Sequence, residues 1–189
     1  MKLETESDII KLIQDDAWMM EILYCAKKLY LPDWWICAGF VRSKVWDTIH
    51  GFEKRTPLPD IDVIYFDSSR TEEANEKAIE KKLHKEVSGI PWSVKNQARM
   101  HVINEAEPYR SSIESVSKFP ETATALGVKL DYQNKLTLAA PYGLDDVIHM
   151  VVKPTPYFKQ SDKLMEIYSR RIKLKKWTLK WSKLSIETM

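Results

Sequence analysis

Cysteine, histidine and glycine are all scarce in this chain, and each shortage closes off a class of chemistry. Only two cysteines occur, Cys25 and Cys37, each among apolar residues. They read as buried reduced thiols, because two cysteines in such settings do not make a disulfide framework. The four histidines, His50, His84, His101 and His149, are scattered. There is no His-Glu-x-x-His pair and no paired-cysteine spacing, so a zinc site is not expected. A Gly-x-Ser-x-Gly elbow and a Gly-Lys-Ser/Thr phosphate loop are missing too. No apolar run approaches a membrane span. The acidic start, Met-Lys-Leu-Glu-Thr-Glu-Ser-Asp, has no apolar signal core. A cytoplasmic protein with no membrane partner and no obligate protein partner is the expectation. Lysine and arginine number 29 against 27 acids, a formal charge of +2, so no global polyelectrolyte argument applies. Internal repeats, low-complexity tracts and long linkers are absent. The 189 residues are read as one domain, 1–189.

What is present is concentrated between Trp34 and Asp67. The order is an apolar strand, a glycine turn, a short helix, a loop, and a second strand that opens on Asp60-Ile61-Asp62. Strand side chains alternate, so Asp60 and Asp62 share one face while Ile61 and Val63 face the core. Two residues of rise separate their Cα atoms by roughly 6.7 Å, from which two short carboxylates can converge on one cation. Mg²⁺ takes oxygen ligands, often one or two carboxylates plus substrate phosphates. Asp67 has the opposite parity and is not expected to join them.

Five glycines occur: Gly39, Gly51, Gly89, Gly127 and Gly143. Gly51 and Gly89 follow helical patterns, as helix-terminal glycines do. Gly39 instead follows the strand Trp34–Ala38 and precedes a helix with Val41, Val45 and Ile49 on one face. A residue without Cβ lets the backbone approach a ligand, and the next helix N-terminus favours an anion. Arg42, one turn in, can add a guanidinium fork for phosphate. Lys95 and Arg99 are further phosphate or acceptor contacts, and His101 sits beside them.

Ala38-Gly39-Phe40-Val41-Arg42, Gly51 and Asp60-Ile61-Asp62 together resemble the nucleotidyltransferase superfamily of the polymerase β type. The pattern is most similar to the head domain of CCA-adding enzymes and poly(A) polymerases, which carry Gly-Gly-x-Val-Arg and then Asp-x-Asp. The wider chain, including Trp46-Asp47, Lys95 to His101, Pro120 to Ala123 and Pro141 to Asp146, resembles a bacterial family of stand-alone nucleotidyltransferase-like proteins. The resemblance implies an α/β (α+β) fold with a mixed central sheet flanked by helices. Its core would cover about residues 30–105, with a hairpin and helices added at about 106–189. It implies that Asp60 and Asp62 hold Mg²⁺ or Mn²⁺, while Ala38, Gly39 and Arg42 seat a nucleoside triphosphate. Transfer of the nucleoside monophosphate to an acceptor hydroxyl, on RNA or a small molecule, would release pyrophosphate. Two departures stand out. Ala38 replaces the leading glycine, and Ser93 takes the place of a third carboxylate on the neighbouring strand. Glu86, Asp131, Asp145 or Asp146 would have to compensate in space; otherwise a non-catalytic nucleotide- or RNA-binding module is the alternative.

Residues 159–183 hold nine bases against Asp162 and Glu166, with Trp177 and Trp181 among them. The favoured reading packs Leu164, Ile167, Tyr168, Ile172, Trp177 and Trp181 inward and solvates the bases. The other reading has the bases and aromatics tracking nucleic acid. Further helices are expected at about 8–29, 71–87, 96–104, 112–119, 121–126, 143–152 and 162–179. Strands are expected at about 61–66 and 92–95, and a hairpin at 128–139.

Overall fold

The computed structural model describes residues 2–188. The chain enters through α1 (Glu6–Gln14), capped by Thr5 in a reciprocal box with Asp8. The expected single N-terminal helix is two. Asp16 accepts from the Met19 N–H and starts α2 (Ala17–Lys27). The break has a physical cause: Asp16 is also the anchor for Arg55, at 2.6 Å, and for Lys44, at 2.8 Å.

Five strands form one mixed sheet in the order β3-β2-β1-β4-β5. These are β1 (Trp35–Cys37), β2 (Ile61–Tyr65), β3 (Trp92–Asn96), β4 (Gly127–Leu130) and β5 (Leu136–Ala139). β2 and β3 run parallel, and the other pairings are antiparallel. The crossover from β2 to β3 is α4 (Glu73–Glu86), as a parallel pair requires. The expected hairpin is present: the Asp131 carboxylate accepts the N–H groups of Gln133 and Lys135, and Asn134 takes φ 65°.

Alternation gives the sheet two different faces. Ile36, Ile61, Val63, Val94, Val128 and Leu136 join the main core with α1, α2, α3 (Gly39–His50) and α4. The other face carries Trp35, Cys37 and Ile64, packed on Val116 of α6 (Ser112–Ser117) and on Ala125. Register puts Gly127, Cys37, Asp62 and Ser93 in one row across this second face. Gly127 is needed there, because a Cβ would stand 3.0 Å from the Cys37 sulfur. Both cysteines are free and buried.

The C-terminal part departs most from expectation. Residues 121–126 form only a 3-10 turn, Thr122–Thr124. The segment expected as helix 143–152 is one turn, α7 (Asp145–Ile148), followed by β6 (Val151–Val152). α8 (Asp162–Lys175) stops where Lys176 takes φ 46°, and Trp177–Leu179 is a separate 3-10 turn. That break swings the tail back over α3. Trp177 and Trp181 meet Trp46 edge-on, at 5.7 and 5.1 Å between ring centroids. The Trp181 indole N–H donates to Asp47 at 2.8 Å. β7 (Ser185–Ile186) then pairs with β6. Among the described residues no helix is long and apolar enough to cross a membrane.

Candidate functional site

The turn between β1 and α3 is built on the alanine, not the glycine. Ala38 adopts φ 54°, ψ −113°, a conformation normally left to glycine. It is held there by its N–H bond to the Leu126 carbonyl, at 2.9 Å, and by its own carbonyl, which accepts from Arg42 N–H at 3.0 Å. Gly39 is already helical. A Cβ there would lie 3.5 Å from an Arg42 terminal nitrogen, an ordinary contact, so neither space nor backbone angle demands glycine at this position. No side chain caps α3, and Ala38 and Gly39 line the cavity at its start. An Ala38→Val substitution should cost about 3 kcal/mol in chemical denaturation, because a β-branched side chain resists positive φ and would overpack a buried position. Ala38→Gly should stay within about 1 kcal/mol of wild type, since relieved strain offsets the lost methyl and the added chain entropy. A tolerated valine would contradict this backbone.

The cavity at this turn has a volume of about 320 Å³. Asp60 and Asp62 line it, and so do Ala38, Gly39 and Arg42. The structure therefore brings together five of the seven residues singled out from sequence. Asp60 is exposed just before β2, and Asp62 is half-buried within it. The Asp62 carboxyl is pushed up to about 6 by burial first and by the charge of Asp60 second, while a hydrogen bond from Ser93 opposes the rise. Two acids of like charge therefore sit together without a neutralising partner of their own. With chelator present, Asp62→Asn should stabilise the fold by about 2 kcal/mol at pH 8. A raised carboxylate contributes stability below its unfolded value near 4 and loses it as pH rises through 6. The advantage of the neutral amide should therefore vanish toward pH 4, and thermal unfolding across that range measures it. An advantage that is flat with pH would contradict the shift.

Arg42 is 7% exposed and lies 4.5 Å from the Trp177 ring and 5.0 Å from the Trp46 ring. Its Nε–H has no partner, and burial lowers its pKa to about 10 despite the attraction of Glu121, Asp60 and Asp62. An unpaired buried guanidinium nitrogen at a cavity wall is expensive without a ligand.

Three cations of the wall were not assigned to the site from sequence: Arg171, Lys175 and Lys180, all from the basic tail. Arg171 is fixed by the fully buried Glu121, which accepts from its Nε at 2.6 Å. The available signal was the i, i+4 spacing of Arg171 and Lys175 beside two tryptophans. The tail's indoles are buried, as the packing reading expects, and three of its bases line the cavity.

Lys95 and Arg99 do not join this cavity. Arg99 makes two 2.8 Å bonds to Glu76, which is fully buried on α4, and Lys95 lies 3.6 Å from the same carboxylate. His101 packs edge-on against Tyr109 instead. None of the proposed substitutes supplies a third acid. Glu86 lies at the end of α4, Asp131 holds the hairpin turn, Asp146 pairs with Lys153 at 3.0 Å, and Asp145 sits in the first turn of α7. Among the described residues no group of three or more His, Cys, Asp and Glu forms a metal cluster. Asp67 turns away and bonds Ser69.

A mixed five-stranded sheet, with an uncapped helix start beside an acid-bearing strand, defines the nucleotidyltransferase head-domain class of fold. The family model described as nucleotidyltransferase matches residues 24–186. The chain belongs to the nucleotidyltransferase family. A solved structure described as a CCA-adding enzyme head domain is 34% identical, with a TM-score of 0.87, over 99% of this chain and 98% of that one. A CCA-adding enzyme in complex with CTP is similar in fold, with a TM-score of 0.57 at 16% identity, over 95% of this chain. Another with ATP gives a TM-score of 0.51 at 14% identity, over 86%. This chain spans only 43% and 40% of those two enzymes. None of the curated proteins compared by sequence matches it.

Proposed function

We propose that this protein transfers a nucleoside monophosphate from a nucleoside triphosphate to an acceptor hydroxyl, releasing pyrophosphate. One observation carries the reading: an acid pair and four cations, Arg42, Arg171, Lys175 and Lys180, line a single cavity at a helix N-terminus. Acids and bases in such a space would neutralise one another in pairs, yet Asp60 and Asp62 remain mutually repelling. A divalent cation would neutralise the acid pair, and its polyphosphate the cations that line the same cavity.

The donor set fits Mg²⁺ or Mn²⁺. Two carboxylates, with phosphate oxygens and waters completing the shell, are a common Mg²⁺ arrangement. Asp60 and Asp62 would hold it, and it would supply charge neutralisation of the reacting phosphate. The chain's own residues do the rest. The open end of α3 and the Arg42 fork orient the phosphates. Arg171 and Lys175 face the charge that develops on the departing pyrophosphate, and such preorganised donors carry much of the rate in phosphoryl transfer.

A specific observation favours a second reading. Ser93 stands opposite Asp62 in the strand register, and a hydroxyl cannot replace an anionic ligand in charge. A nucleotide-binding module without turnover follows if the acid pair is insufficient. Incubation with each labelled triphosphate, Mg²⁺ or Mn²⁺, and RNA or small-molecule acceptors decides between the two. Pyrophosphate release supports transfer; tight binding with no release under any condition favours the module.

A further inference from the structure

Asp62 borders two cavities. The second, of about 610 Å³, lies over the same sheet face, where Ile64 and Lys95 are register partners next to the Asp62–Ser93 pair. Its walls come from α5 (Gln97–Ile103), the 118–120 segment that follows α6, the 157–161 segment and α8, and many of them are aromatic or apolar: Met100, Tyr109, Phe119, Tyr157, Phe158 and Leu164. Of its cations, Lys163 is paired with Glu105, and Lys118 sits over the Tyr109 ring at 4.9 Å.

We infer that this cavity is the acceptor site, and that it takes a small hydroxyl-bearing molecule with a planar ring, of about nucleoside size. This rests on the transfer reading above. In-line displacement brings the nucleophile from the side opposite the leaving group. The four cations that suit the leaving pyrophosphate line the first cavity, so the hydroxyl enters from the second, across Asp62. The acceptor oxygen bonds to the α-phosphorus and the bond from that phosphorus to the β-bridging oxygen breaks. Pyrophosphate departs, and the hydroxyl proton passes to water. An aromatic-walled cavity of this volume suits one ring-bearing small molecule. A polynucleotide calls for an open cationic track, and here all three lysines are already engaged: Lys163 by Glu105, Lys118 by Tyr109 and Lys95 by Glu76.

Amide shifts of the full chain test this with MgATP, with a ring-bearing alcohol panel (adenosine, pyridoxine, tyrosinol and 2-phenylethanol), and with a single-stranded oligoribonucleotide. At least one alcohol should shift Tyr109, Phe119, Phe158 and Leu164, while MgATP shifts Gly39 and Arg42. Met100→Trp, which fills the cavity, should weaken that alcohol at least tenfold and leave MgATP within twofold; Leu164→Trp serves if the first variant is unfolded. If MgATP fails to shift Gly39 and Arg42, the nucleotide site itself falls, and the acceptor assignment with it. If MgATP binds there but no alcohol binds, only the acceptor proposal falls. It also falls if Met100→Trp weakens MgATP as much as the alcohol, which makes the cavity a nucleobase site, or if the oligoribonucleotide shifts the cavity residues.

Discussion

Replacing Asp60 and Asp62 together by alanine should lower pyrophosphate release by on the order of 10³-fold or more while leaving the chain folded. The magnitude follows from what the pair does. A cation bridging enzyme and phosphate is worth several kcal/mol of transition-state stabilisation, and the sheet face holds no third acid to keep it. The fold should survive, because Asp60 is exposed before β2 and Asp62 is penalised by its surroundings in the metal-free state. Thermal unfolding in chelator separates the two effects: the double variant should melt no lower than wild type. Release that persists in the variant would place the chemistry elsewhere.

Arg42→Met should weaken triphosphate binding roughly 10- to 100-fold with little loss of stability, as calorimetric titration and thermal unfolding would measure. A charge-assisted hydrogen bond is worth about 1.5–3 kcal/mol, and loss of one or more sets the range. Stability behaves differently because the guanidinium is buried with an unpartnered Nε and a depressed pKa. Methionine keeps the straight stem against Trp46 and Trp177 and removes the desolvated charge, a type of exchange that is often neutral or stabilising. The lost cation–π contacts offset part of that gain. A large fall in melting temperature with unchanged affinity would make Arg42 a structural residue alone.

The local part of the site was legible in the sequence. Asp60, Asp62, Gly39 and Arg42 lie within one strand–turn–helix–strand unit, where period and turn chemistry suffice. The turn's strain was displaced by one residue: Ala38 carries the positive φ because its N–H donates to the Leu126 carbonyl and its own carbonyl accepts from Arg42, which fixes the backbone on both sides. What lay far apart in sequence was not legible. Arg171 and Lys175 reach the cavity from the last turns of α8, and Lys180 follows a chain reversal at Lys176, a left-handed lysine that no periodicity announces. Lys95 and Arg99 carried the right charge for phosphate, but Glu76, on a helix that reads as surface, is fully buried and engages them. The α1–α2 break was hidden for a similar reason. Asp16 interrupts a continuous helical pattern to meet Arg55, 39 residues away. Tertiary partners decided each of these places, and local preference did not.

The most direct measurement adds Mn²⁺ to the isotope-labelled protein with and without a non-hydrolysable triphosphate and follows paramagnetic broadening residue by residue. The account predicts broadening centred on Asp60, Asp62 and Ser93, tightened by the triphosphate and extending to Gly39 and Arg171. Broadening centred anywhere else, or unchanged by the triphosphate, would contradict it.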